Sequence, residues 1–349
     1  VTYKEELKKL ASDYRQEARD DYQIALDTIK KLWVEVSGVK YPEIQRQLED
    51  ILLRNPEYRD HFLHQFQVFL LGAYIIDKLY DHKEKCITEF KESYECGIEN
   101  AWLLASTYHD FNYSIQEYDF WIKEFFSHAL SISQNTKCSL SPLNLDVAFI
   151  RENFLLKTQE ICEVLNLKMN DIVMNFFYEE ATTERNHGLL SALSLLKLFE
   201  NTTQNKINHS GLIQAAVAIA LHDESIWKAF SGRGENDDSE WNRNFAEETF
   251  LKNQEFKKYP LAFLLIFCDT VQEWGRVGKN YRESKPRLED VTLGSNEILL
   301  TLSVGDDNPY ERKTHEIHRV AKFLKDQRFA IELKSRASGK NTKIPMAGV

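Results

Sequence analysis

The chain has 349 residues, 43% of them hydrophobic and 28% charged, with a formal net charge of −10. This composition supports a sizeable hydrophobic core and excludes a disordered chain. The acidic balance argues against broad nucleic-acid or membrane-surface binding, both of which need basic patches.

Glycine and proline are scarce, at 13 and 7, and helical periodicity covers most of the chain. Residues 3–35 place Tyr3, Leu7, Leu10, Tyr14 and Ala18 at steps of three and four, which marks one apolar helix face. Pro42 opens a second helix, PEIQRQLEDILLR, and Asn55-Pro56 breaks it. Residues 59–80 read as a strongly apolar helix. Further helices are predicted over 98–109, 116–131, 145–164, 168–180, 185–200, 210–229 and 259–277. Loops interrupt them at 133–142 and 231–240. After residue 287 the character changes. EILLTLSV and RFAIELKS read as strands around a basic helix, ERKTHEIHRVAKFLK, and the last ten residues read as a frayed tail. The expected fold is mainly α. It has an N-terminal helical extension over 1–55, a helical bundle over 56–287 and a small strand–helix–strand appendage over 288–349.

The five cysteines, Cys86, Cys96, Cys138, Cys162 and Cys268, are odd in number and none forms a CxxC pair. They are expected to be reduced thiols in a cytoplasmic protein. No run of 18 apolar residues and no signal-peptide pattern is present, so no membrane partner is expected.

Within the apolar helices, a few polar residues stand where burial of a lone charge would cost several kcal/mol or more. In WLLASTYHDFNY, His109 and Asp110 end an apolar run. In HQFQVFLL, His64 shares a face with Val68, Leu71 and Ile75. His187 opens HGLLSALSLL, and His222 follows the small and apolar run from Ala215 to Leu221. Asp269 follows eight apolar residues with no basic neighbour. Any one of these histidines alone reads as a satisfied core residue. Together they form an ordered set of His, His-Asp, His, His and Asp on different predicted helices. Imidazoles and carboxylates are ligands of first-row divalent metals, and helix bundles project such ligands inward. Six ligands with one shared carboxylate suit two metals.

This ordered set resembles the HD superfamily of metal-dependent phosphohydrolases, over roughly residues 60–277. HQFQVFLL is similar to that family's first-histidine helix, LLASTYHDFNY to its signature dipeptide at a helix end, and FLLIFCDTVQEWGR to its final aspartate helix. The extra His187 and His222 resemble the binuclear branch. The resemblance implies an HD-type helical bundle in which His64, His109, Asp110 and Asp269 hold one metal. Asp110, His187 and His222 would hold the second, with Asp110 bridging. His61, three residues before His64, competes for the first position; Val68, four after His64, favours His64. Two divalent ions, manganese, iron, magnesium, nickel or cobalt, would activate a hydroxide that Asp110 orients against a small phosphorylated substrate such as a nucleotide. Two positions depart from the family pattern. Tyr113 stands where many members carry lysine. HDESIWKAF lacks the glycine-tyrosine-proline element of the cyclic-dinucleotide branch. Asp223 and Glu224 beside His222 are either orienting partners of a ligand or the start of a solvated turn.

Substrate phosphates need cations. RVGKNYRESKPR supplies Arg276, Lys279, Arg282, Lys285 and Arg287. On a helix continued to 277, Gln272 and Arg276 follow Asp269 along one face, and they are the substrate-binding candidates together with Arg185. The basic run is too short and too poor in stacked aromatics to imply nucleic acid. Two other functions use the same residues: a diiron oxygenase resembling myo-inositol oxygenase, and a metal-binding regulatory module without catalysis that meets a protein partner through the C-terminal appendage.

Overall fold

A computed structural model describes residues 18–52, 60–81, 98–130, 149–200, 206–226, 259–272, 287–293, 298–305, 307–324 and 329–346. The fold is mainly α with a small C-terminal sheet. The helices are α1 (Ala18–Ser37), α2 (Ile44–Leu52), α3 (Phe62–Asp81), α4 (Ile98–Tyr108), α5 (Tyr113–Leu130), α6 (Phe149–Val164), α7 (Asp171–Thr182), α8 (His187–Glu200), α9 (His209–His222) and α10 (Pro260–Val271). The C-terminal unit runs β1 (Arg287–Leu293), β2 (Ile298–Val304), α11 (Asp307–Leu324), β3 (Phe329–Ser335) and β4 (Asn341–Pro345). The helical reading of residues 3–17, both predicted loops and the basic run from Arg276 to Lys285 lie outside the described residues. Among the described residues, no helix is long and apolar enough to cross a membrane.

Three helices are buried on every side, and they set the centre of the bundle. In α4 every residue from Ala101 to Tyr108 is buried. In α9 the run Ala215–His222 is buried throughout, and in α10 all positions except Asp269 are buried. A helix apolar all round must be enclosed by others. Accordingly α9 packs against α4, α8 and α10, and α3 packs along α4.

The amphipathic α1 closes one side. Its buried stripe is Ala25, Leu26, Ile29 and Trp33, at the three- and four-residue steps of one helix face. Trp33 donates from Nε1 to Thr107 Oγ1 at 2.9 Å, and its ring lies 5.6 Å from that of Tyr108. α1 thus braces the last turn of α4, directly before His109-Asp110.

The sheet order is β1-β2-β3-β4. β2 and β3 are parallel, with Leu300 opposite Ile331, so the chain needs a crossover between them, and α11 provides it. The outer strands pair antiparallel. Where the sequence reading has a frayed tail, residues 341–345 form β4, with Ile344 and Met346 buried. Met346 N–H also bonds Phe329 O at 2.8 Å. One hydrophobic core runs from α1 through the bundle and into the sheet.

Candidate metal centre

The centre is built at helix ends. α4 stops at Tyr108, and His109–Asn112 form a turn before α5, closed by Tyr113 N–H to Asp110 O at 3.0 Å. Two neighbours clamp this turn. From α8, Ser191 Oγ accepts Asn112 N–H at 3.0 Å and Ser194 Oγ accepts from Asn112 Nδ2 at 2.9 Å. From α3, the buried Gln65 amide, oriented by its network, donates to Thr107 O (2.9 Å) and accepts from Asp110 N–H (3.1 Å) and Phe111 N–H (3.0 Å). The start of α3 is itself fixed by carboxylates on its first N–H groups, which have no partners within the helix. Asp60 accepts from Leu63 N–H at 2.9 Å and Glu49 of α2 from His61 N–H at 2.7 Å.

Besides His61, four imidazoles converge on Asp110, each with one ring nitrogen tied behind it. His109 Nδ1 donates to Ser106 O (2.8 Å) and His222 Nδ1 to Ile219 O (2.5 Å). Both acceptors lie three residues back, among the carbonyls that a helix C-terminus leaves over. His187 Nδ1 meets Gln116 Oε1 at 2.9 Å and Asp223 Oδ2 at 3.1 Å. His64 Nδ1 meets Gln272 Oε1. An Nδ1–H donated to an oxygen leaves Nε2 as a lone pair, the form in which imidazole binds metals.

Those Nε2 atoms face the two oxygens of Asp110 in two sets. Oδ2 lies 3.7 Å from His64 Nε2 and 3.5 Å from His109 Nε2. Asp269 Oδ1 joins this deeper set at 2.8 Å from His64 Nε2 and 3.7 Å from His109 Nε2. Oδ1 lies 3.3 Å from His187 Nε2 and 3.4 Å from His222 Nε2, and the two nitrogens are 3.2 Å apart. Among the described residues, the groups compact enough to hold an ion are His64/His109/Asp110, His109/His222/Asp269 and Asp110/His187/His222.

Glycine makes the second set possible. A Cβ on Gly188 would lie 2.9 Å from Ile219 O and 3.1 Å from His222 Cε1. Only a bare Cα lets α8 come close enough to α9 for His187 and His222 to meet.

The residues fit divalent ions on their own chemistry. With both Nδ1 atoms protonated, His187 Nε2, His222 Nε2 and Asp110 Oδ1 turn three lone pairs on one point. His109 Nε2 is buried without a hydrogen-bond partner. Such an arrangement costs free energy unless a cation or proton sits among the donors. Burial pushes the Asp110 carboxyl up, but His109 and the hydrogen bonds from His187, His222 and His61 outweigh it and hold it well below its usual range. Asp269 is lowered in the same way, with burial opposed by His109 and His64. Burial depresses His222, yet Asp110, Asp269 and Asp223 raise it to about 9.

This fixes a pH dependence for the metal-free protein. The folded pKa of His222 lies above its ordinary 6.5. The stability it contributes is therefore complete below about pH 6.5 and is lost as pH rises through about 9. Metal binding has the opposite trend, because the proton on His222 must leave. The melting temperature of chelator-treated protein should fall from pH 6.5 to 9, while manganese affinity by calorimetry rises over the same range. A flat affinity would show that no proton is displaced.

The structure brings all six sequence-predicted ligand candidates together and includes His61. His61 Nδ1 donates to Asp110 Oδ2 at 2.8 Å, and its ring stacks on Tyr113 at 3.7 Å. It therefore braces the carboxylate from outside the compact groups. Asp223 pairs with a ligand candidate, and that candidate is His187 rather than the adjacent His222. The predicted substrate candidates fare differently. α10 ends at Val271, six residues short of the expected end, and Gln272 leaves the helix with ψ 97°. Its fully buried amide reaches His64 and Gln67 instead of open space. Arg185 is buried at φ 55° and is not part of the cavity wall. Arg276 lies outside the described residues. Gln65 and Gln116 were not legible as site residues in the sequence, because an amide is not a metal-binding type. Their signal is that of any amide set inside an apolar helix face.

Above the centre lies a cavity of about 300 Å³, into which Asp110, His187, His222 and Asp269 open. No protein-family model, curated protein or solved structure matches the chain.

Proposed function

We propose that the chain is an HD-type, metal-dependent phosphohydrolase acting on a small phosphoester, with two divalent ions held through Asp110. The observation that carries this reading is the division of the Asp110 carboxylate. Its Oδ2 belongs to the His64/His109 set and its Oδ1 to the His187/His222 set. A bound pair of ions supplies an activated water and neutralises charge on a phosphoryl group. In phosphoryl transfer the protein's part is mainly positioning and electrostatics.

The chain's own residues perform that positioning. Asp110 and Asp269 stay ionised in a buried setting. His61 fixes the plane of the Asp110 carboxylate through its bond to Oδ2 at 2.8 Å. Gln65 and the α8 serines prevent the turn from shifting when charge accumulates. The cavity volume is at the low end of the ~300–1,000 Å³ usual for small-molecule sites, which favours a compact substrate over a polymer.

The test is phosphate release from p-nitrophenyl phosphate, its bis-ester and a panel of nucleotides by manganese-loaded protein. Hydrolysis that disappears with chelator and returns with manganese is expected. Metal-loaded protein that releases nothing from any of these esters would refute the reading. Oxygen uptake with a polyol would move the assignment to the oxygenase.

A further inference from the structure

One wall of the cavity comes from a part of the chain that supplies none of the candidate ligands. Glu316, Arg319 and Val320 of α11 line it beside His222 and Asp269. α11 reaches this position because the C-terminal unit docks on α10, the helix that carries Asp269. Phe329 of β3 packs its ring 4.7 Å from Phe263 and 5.0 Å from Phe267, two residues before Asp269. α11 packs directly against α10 as well as against β3, and buries Tyr310, Ile317, Val320 and Ala321.

The cavity wall is acidic, with Asp110, Asp223, Glu224, Asp269 and Glu316. Among the described residues, Arg319 is its single arginine or lysine. Arg319 Nη1 rests 3.0 Å from Glu224 Oε1, with the two side chains 53% and 35% exposed. An ion pair this exposed contributes little to stability, so Arg319 can exchange Glu224 for a better partner at small cost. A guanidinium fork matches phosphate oxygens and suits such an exchange. Glu224 stands two residues after His222, so the pair joins the metal-centre side of the cavity to the C-terminal unit.

We propose that Arg319 selects an anionic substrate by leaving Glu224 for a phosphate oxygen, which makes the C-terminal α/β unit a wall of the substrate site. The inference rests on the phosphohydrolase reading for its choice of phosphate as the anion. A simple tether between α11 and the turn after α9 would instead affect stability alone.

The test is calorimetric titration of inorganic phosphate into the manganese-loaded full chain. Arg319→Ala should weaken phosphate about 10-fold or more. Arg319→Lys should recover part of the loss, and Glu224→Gln, which frees Arg319, should bind at least as tightly as wild type. Arg319→Ala with wild-type phosphate affinity and a lowered melting temperature would overturn the proposal in favour of a tether. Wild type that binds no phosphate would also overturn it. A parallel ester-hydrolysis assay separates the two claims. Hydrolysis with an unchanged KM in Arg319→Ala would refute this inference and keep the phosphohydrolase. Phosphate affinity that follows Arg319 in a protein that hydrolyses no ester would keep the inference and refute the enzyme.

Discussion

Asp110→Ala should empty both halves of the metal centre at once. Asp110 turns one oxygen to each histidine pair, Oδ2 to His64 and His109 and Oδ1 to His187 and His222. Its oxygens lie 3.3–3.7 Å from the Nε2 atoms of all four histidines. Removing the carboxylate takes one donor oxygen from each set and the single negative charge that the two sets share. It also leaves His187 and His222 facing each other at 3.2 Å with no anion between them. Loss of an orienting partner behind a ligand typically costs ~10–100-fold in metal affinity. Loss of a shared ligand should exceed that, so manganese affinity is expected to fall by more than about 100-fold at both sites. Asp110→Asn keeps the side chain's shape and removes its charge, and it should behave alike, which separates ligation from folding. His187→Ala touches one set only and should retain about half the metal. Calorimetric titration of the three variants distinguishes these outcomes. An Asp110→Ala protein that fills two sites with wild-type affinity would show that the carboxylate is not shared.

The largest stability loss is expected from Gly72→Ala, where α3 meets the Trp102 ring of α4. A Cβ built on Gly72 in α3 would lie 2.0 Å from Trp102 Cζ2 and 2.3 Å from Cε2. The indole cannot move aside easily. It is 1% exposed in the centre of the core, and its Nε1–H is spent on Phe69 O at 2.9 Å. Ordinary overpacking costs ~1–3 kcal/mol, and a clash with the face of a pinned ring should reach or exceed the top of that range. Urea unfolding of metal-free protein gives the number. A loss below about 0.5 kcal/mol would mean that α3 and α4 slide apart readily. Because α3 carries His64 and α4 leads into His109-Asp110, weaker metal binding should accompany the instability.

Much of the fold and the donor set was legible in the sequence. The ligand candidates stand out because each interrupts an apolar run, where a polar group demands a partner. Helix existence followed from periodicity for the same reason. The rest depends on contacts that sequence distance hides. His61 and His64 are three residues apart, one just before α3 and one in its first turn, so both reach Asp110. What separates them is which ring nitrogen is tied behind, and Gln272 ties that of His64 from 208 positions away. The early end of α10 was equally hidden, since no proline or glycine stands before Gly275 to mark it, while the backbone already leaves the helix at Gln272. β1 and β4 were missed because RLEDVTL and NTKIP carry little alternation. Their strand character comes from pairing with β2 and β3. Arg319 sits in a helix that reads as merely basic, and its place at the cavity exists only once Phe329 has docked the sheet against α10.

The central claim is that two ions share Asp110, and metal content per chain tests it most directly. Wild-type protein, supplied with manganese or iron and then freed of unbound metal, should carry close to two ions per chain by elemental analysis. Protein that retains none would contradict the account and leave His109 and Asp110 as a polar pair closing the end of α4.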